Sequence, residues 1–260
     1  MIIDCHCHAG IGDTGFNGPW DSDARLDRYL VRARRAGIDR TVVFPVFNND
    51  YRTANARLAA IVESQRPRLI GFAAVDAGRD AGRVAAVVES AVRQGLRGIK
   101  VHGHDSPLTR EICDAARRFA VPVLVDIVRR PVVVEMAAGQ FPDVPFIVSH
   151  LGGFADDWMT GLSVIDQMCR YPNVFADTSG VRYFDLLVDA VRRAGPGKLL
   201  FGSDGPLLHP GVELAKVRAL DLPGAAEADV LGGNLLRLLH GRWSDRVQTR
   251  VNWQAERPGR

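Results

Sequence analysis

At 260 residues, the chain is long enough for one large core, close to the ~250 residues of a closed eight-stranded α/β barrel. Hydrophobic residues make up 47% and charged residues 24%; that balance excludes a disordered chain, and no apolar run approaches the ~20 residues of a membrane span. The formal charge of +3 comes from scattered cations, nearly all arginine, with no basic stripe interleaved with aromatics, so neither nucleic acid nor a membrane is expected as a partner.

The chain opens on a strand, Met1-Ile2-Ile3-Asp4, rather than on a basic segment followed by an apolar stretch, and a cytoplasmic protein is the expectation. Cys5, Cys7, Cys113 and Cys169 show no framework spacing, which favours reduced thiols. Short β-branched runs then alternate with stretches of helical period. The runs predict strands at 2–6, 41–46, 69–75, 98–102, 122–127, 146–150, 174–178 and 199–204. Helices are predicted at 26–35, 54–65, 81–94, 109–120 and 184–194. Gly37, Gly95, Pro172 and Gly195-Pro196-Gly197 mark turns ahead of strands.

This alternation specifies a parallel sheet covered by helices, and the fold class expected is a single (β/α)8 TIM barrel. The competing open, doubly wound sheet usually has a glycine-rich phosphate turn after its first strand, whereas here that strand runs into Cys5-His6-Cys7-His8. Residues 1–240 are assigned to the barrel. The polar, arginine-rich stretch 241–260 reads as an appended tail, mobile or packed on a neighbour.

In a regular strand, side chains alternate faces, so Asp4, His6 and His8 are expected on one side and Ile3, Cys5 and Cys7 on the other. Two imidazoles sharing a buried face cost desolvation energy unless something binds them, which points to a metal ion more than to two satisfied core histidines. Other donors also fall at strand ends: His102 and His104 after the fourth run, Asp126 in the fifth, His150 closing the sixth and Asp204 closing the eighth. Five of the seven histidines occupy such positions, and in a barrel these positions converge on one site.

Four segments together resemble the amidohydrolase superfamily: Ile3-Asp4-Cys5-His6-Cys7-His8, Ser149-His150-Leu151-Gly152-Gly153, Phe201-Gly202-Ser203-Asp204-Gly205-Pro206, and the stretch from Leu231 to Leu239. The branch they resemble most is the amidohydrolase-related group that includes lactonases and aminocarboxymuconate-semialdehyde decarboxylase. The resemblance implies one divalent metal, zinc or else manganese, held by His6, His8 and Asp204, with His150 beside the bound water or substrate. One departure stands out, because the family's metal-binding histidine at the end of the fifth strand is here Asp126. Either Asp126 ligates through oxygen, or His102 or His104 supplies the imidazole. Lys100 resembles the lysine that binuclear relatives carboxylate to bridge a second metal, so that arrangement is the minor alternative.

The chemistry then expected is hydrolysis of an ester, lactone or amide bond of a small molecule through a metal-activated water. Asp204 would move the proton and His150 orient the oxygen that gains charge. The alternative is decarboxylation of a small unsaturated or aromatic acid, and a third reading is a barrel that binds without catalysis. Lys100, His102, His104, Arg129 and Arg130 are the candidate substrate-binding residues; the two arginines suit a carboxylate, although such a pair is more often a solvated loop. Phe16 and Trp20 are candidates to close over a substrate, and Asp156, Asp157, Trp158, Asp177 and His209 are lesser pocket candidates. A homodimer is allowed, but no residue pattern fixes it.

Overall fold

The computed structural model describes residues 1–13, 24, 26–155 and 157–241; Phe16, Trp20, Asp156 and the tail beyond 241 lie outside them. In chain order the elements are β1 (Ile3–Ala9), α1 (Leu26–Arg35), β2 (Arg40–Pro45), α2 (Tyr51–Ser64), β3 (Leu69–Gly71), β4 (Ala73–Ala74), α3 (Val84–Arg93), β5 (Ile99–Val101), α4 (Arg110–Phe119) and β6 (Val123–Val125). They continue with α5 (Val132–Gln140), β7 (Phe146–Val148), α6 (Trp158–Arg170), β8 (Val174–Asp177), α7 (Phe184–Ala194), β9 (Leu199–Leu200), α8 (Pro210–Arg218), α9 (Gly224–Ala228) and α10 (Asn234–Leu239).

Every strand pair is parallel, in the orders β1-β2-β3 and β4-β5-β6-β7-β8-β9. Two seams join these into one ring. At the first, β3 and β4 are halves of one extended segment: the Phe72 amide donates to Val43 O at 2.8 Å, and the Ala73 amide to Gly98 O at 2.8 Å. At the second, β1 meets the chain leaving β9, with the Cys5 amide donating to Phe201 O at 2.9 Å and the His8 amide to Gly205 O at 2.6 Å. Eight staves therefore close on themselves as a TIM barrel, so no sheet edge is left open.

A parallel sheet buried on both faces needs two apolar layers. Inside the barrel lie Ile3, Cys5, Val42, Phe44, Ile70, Phe72, Leu124, Ile147, Phe175 and Leu200, with Leu235 and Leu238 of α10 packed into the same cluster. Val43, Ile99, Val101, Val123, Val125, Val148 and Val174 face outward against the helices. Asp50, Thr109 and Asp157 start α2, α4 and α6 by accepting backbone N–H bonds, the usual role of short polar residues at a helix start.

Two sequence expectations change. The strands predicted at 98–102, 122–127, 146–150 and 199–204 stop earlier, because their polar ends leave the ladder in turns. His150 and Asp204, for example, adopt left-handed φ angles of 58° and 53°.

The predicted facing of β1 is also corrected. From Asp4 to Cys7 the strand advances three residues while its partner advances two, from Thr41 to Val43. This extra residue is a bulge, and it reverses the alternation at that point. Asp4 consequently points to the helix layer, where Tyr29 of α1 donates a hydrogen bond to it, while Ile3 and Cys5 fill the interior. His6 and His8 still share a face, but Asp4 is not on it.

Candidate metal centre

Beyond the interior apolar layer, the next inward position of several staves is polar. Leu124 is followed two residues later by Asp126, Ile147 by Ser149, Phe175 by Asp177, and Lys100 by His102. The two-residue period thus carries one row of core residues and, above it, one row of functional groups.

Asp204 is set by an unusual backbone. A non-glycine residue in the left-handed region is strained and persists only where its surroundings hold it. Here Ser203 donates both its amide (2.8 Å to Asp4 Oδ1) and its hydroxyl to buried Asp4, and the Gly205 amide donates to His6 O at 3.3 Å. Asp4 also accepts from the His6 amide at 3.0 Å and from Tyr29. Burial pushes its carboxyl up to about 7, against the pull of these donors. Asp4 therefore fastens the β1 bulge to the Asp204 turn.

The side chains converge on one point. His6 Nε2 lies 3.4 Å and His8 Nε2 3.2 Å from Asp204 Oδ1. Ligands about 2.0–2.2 Å from a common ion stand roughly 3–3.5 Å apart, so these spacings suit a divalent cation. The proton count agrees. His6 Nδ1 donates to Asp177 Oδ2 at 2.7 Å, which leaves a lone pair on Nε2 of the neutral ring. That atom is buried without a hydrogen-bond partner among the described residues, as is His8 Nδ1. A lone pair facing a carboxylate oxygen is repulsive until a cation lies between them.

Charge states fit as well. Burial, reinforced by Lys100, keeps His6 below the ordinary imidazole value despite Asp177. Burial acts to raise Asp204, but His8, His150 and His6 hold it down at about 2. His6 and Asp204 are thus a neutral imidazole and an ionised carboxylate, the forms in which such groups bind metals.

Asp177 had been a lesser candidate in the sequence, and the structure places it at the centre of the scaffold. Its Oδ1 accepts from the His150 amide at 3.0 Å, the Ser179 amide at 3.0 Å and Ser179 Oγ at 2.5 Å. Burial alone would raise its pKa, but His6, His150 and Ser179 outweigh that and keep it ionised. Because Ser179 donates to Asp177, its oxygen is free to accept from His150 Nδ1 at 2.8 Å. The proton of His150 is therefore fixed on Nδ1, and Nε2 is the nitrogen left for chemistry. His6, His150 and Asp177 form a second cluster whose possible ligand atoms lie within 4.8 Å of one another. The two-residue period after Phe175 is the signal that would have found Asp177.

Around these groups is a cavity of about 620 Å³, lined among others by Phe47, Val128, Phe154, Leu207 and Leu208 as well as by His6, His8, His150 and Asp204. Lys100, His102, His104, Asp126 and Arg129 also line it. His102 Nε2 donates to Pro45 O at 2.9 Å, and burial, then Lys100, holds its pKa well below the ordinary value. Asp126 Oδ1 accepts from the Val128 amide at 3.1 Å. Neither His102 nor Asp126 joins the 4.8 Å cluster of His6, His8 and Asp204. His104 is exposed at the mouth, and Arg129 is a rim residue whose Nε lies 3.2 Å from Asp157.

Arg130 is a correction: it is exposed and outside the lining, because the left-handed turn at Val128 and Arg129 carries the chain away before Pro131. His209 accepts from the Gly211 amide at the start of α8, and Trp158 opens on a separate hollow bordered by Tyr183 and Leu186.

A closed barrel with histidine and carboxylate donors at the carboxyl ends of its staves defines a metal-binding enzyme architecture. Over residues 3–241 the chain matches the amidohydrolase family, Amidohydro_2, and it belongs to that family and is an enzyme. No curated protein matches the chain at sequence level.

Among solved structures, it is similar to 5-carboxyvanillate decarboxylase from Sphingomonas paucimobilis, with 15% identity and a TM-score of 0.71 over 92% of this chain and 98% of that one. A dihydroxybenzoic acid decarboxylase from a Polaromonas species, with bound manganese and the inhibitor 2-nitroresorcinol, shares 17% identity at TM-score 0.71 over 92% and 96%. An amidohydrolase from Burkholderia multivorans with bound zinc shares 16% identity at TM-score 0.75 over 92% and 99%. At these identities the likeness establishes the fold. No helix among the described residues is long and apolar enough to cross a membrane.

Proposed function

We propose that this protein is a metal-dependent decarboxylase of a small aromatic or unsaturated carboxylic acid, with the ion held by His6, His8 and Asp204. The observation that carries this reading is the composition of the cavity: a buried donor triad opens onto a wall of Phe47, Val128, Phe154, Leu207 and Leu208, which suits a flat apolar body with its acid end at the metal. The manganese- and zinc-containing neighbours support a divalent ion, and the two decarboxylases among the similar structures support the reaction class. When bound, the metal supplies a Lewis acid that withdraws electron density from substrate oxygens.

The chain's own residues do the rest. Phe47 and Phe154 exclude water from the reacting carbon. The bond to the carboxylate carbon breaks, carbon dioxide leaves, and the electron pair stays on the carbon that takes a proton. His150 Nε2 is placed to take up a proton from solvent and pass it to that carbon, because Ser179 and Asp177 hold the ring's other proton on Nδ1.

A second reading is favoured by the low pKa of Asp204, near 2. An ionised carboxylate there accepts the proton of a water attacking an ester, lactone or amide carbonyl.

The test is a panel of aromatic and unsaturated acids labelled with carbon-13 at the carboxyl, incubated with manganese- or zinc-loaded protein and read by mass spectrometry of the headspace. Labelled carbon dioxide that is lost in His150→Asn supports the decarboxylase. Turnover of lactones or esters with no carbon dioxide from any acid refutes it.

A further inference from the structure

Two lysines are buried among the described residues, and their surroundings differ. Lys198 Nζ donates to three backbone carbonyls, Tyr171 at 2.8 Å, Pro172 at 2.8 Å and Val174 at 2.9 Å. An ammonium has three N–H donors, so Lys198 is satisfied and acts as a structural clasp. Lys100 is buried more deeply, at 1% exposure, yet makes one hydrogen bond, to Ser149 Oγ at 3.1 Å. Nζ also lies over the Phe44 ring, 4.7 Å from its centroid. Among the described residues no carboxylate forms an ion pair with it; burial lowers its pKa, and Asp126 is the largest of the negative charges that oppose that shift. Its side chain lines the same cavity as the donor triad.

A buried ammonium that uses one of its three donors and has no counter-ion among the described residues is costly unless something else completes its shell. The fold nevertheless keeps it there, with an aromatic face and a hydroxyl to support it. We infer that Lys100 is a second anchor in the cavity, binding an anionic oxygen of the substrate, carboxylate or phenolate, independently of the metal. Ser149 orients the ammonium, and Asp126 tempers its charge so that the anion can leave again. This gives Asp126 a role as partner to Lys100. It also requires the lysine to remain an uncarboxylated ammonium and not a carboxylated bridge between two metals. The inference rests on reading the cavity as a site for a small acid, but not on the bond that is broken there.

The experiment is calorimetric titration of benzoate into metal-free protein, with metal content determined separately on reloaded samples. Wild type is expected to bind benzoate, and Lys100→Met to bind it roughly tenfold or more weakly while taking up as much metal as wild type. Asp126→Asn is expected to bind benzoate roughly threefold or more tightly, because a repelling charge is removed. This variant has the opposite sign, so it keeps the test decisive if Lys100→Met does not fold. Absence of binding by wild type, equal binding by Lys100→Met, unchanged or weaker binding by Asp126→Asn, or loss of metal in Lys100→Met would each overturn the inference. Should benzoate depend on Lys100 while no acid releases carbon dioxide, the anchor stands and the decarboxylase reading falls.

Discussion

Asp177 shows how one side chain can organise a site without being its reactive group. Its two oxygens take four donors from His6, His150 and Ser179, fixing which nitrogen of each imidazole faces the cavity. Such partners of a ligating histidine typically matter 10–100-fold to metal affinity. In Asp177→Asn, chelator competition should show a loss of about that size with the fold retained by circular dichroism; unchanged affinity would contradict the assigned role.

The buried histidines also make acid sensitivity predictable. Burial lowers the pKa of His6 and His102 in the folded protein, so below about 6.5 the unfolded chain binds protons that the folded one refuses. Metal-free protein should have this stability in full above about 6.5 and lose it progressively as the pH falls. Urea midpoints against pH would show the slope, and His102→Phe should make it shallower.

At the scale of elements, the β1 bulge decides what the H-x-H pattern means. The sequence shows two histidines on one face, but a strict two-residue period also puts Asp4 there, and the extra residue that removes it leaves no local mark. Strand ends were overextended for a related reason: Val123-Leu124-Val125-Asp126-Ile127 has β propensity throughout, and only tertiary contacts tell the chain to turn.

Where β9 passes β1 and β8 there is little room. A Cβ at Gly202 would lie 3.1 Å from the Cβ of His6 and 3.2 Å from that of Asp177. Gly202→Ala should therefore push the two apart, costing ~1–3 kcal/mol of stability and weakening metal binding beyond what that loss alone produces. Equal metal affinity in the variant would show that the site tolerates the shift.

For the molecule as a whole, the barrel was legible, and so was the meeting of His6, His8, His150 and Asp204 in one cavity, because alternating runs and polar strand ends survive in the sequence. The pairing that closes the barrel was not, since it depends on β1 meeting the chain after β9 through pairs such as Cys7 with Gly205, nearly two hundred residues apart. The partnerships of Lys100 and Asp177 were hidden for the same reason: they join side chains from different staves. Closure and site are one construction here, because the contacts from Asp4 to Ser203 that fasten the last stave to the first also aim Asp204 at the histidines.

If three distant residues share one divalent ion, elemental analysis of reloaded, exhaustively dialysed protein will register it. Wild type should retain one equivalent of manganese or zinc, and His6→Ala, His8→Ala and Asp204→Ala should each lose it while remaining folded. Retention of the full equivalent by folded Asp204→Ala and His6→Ala proteins would contradict the account.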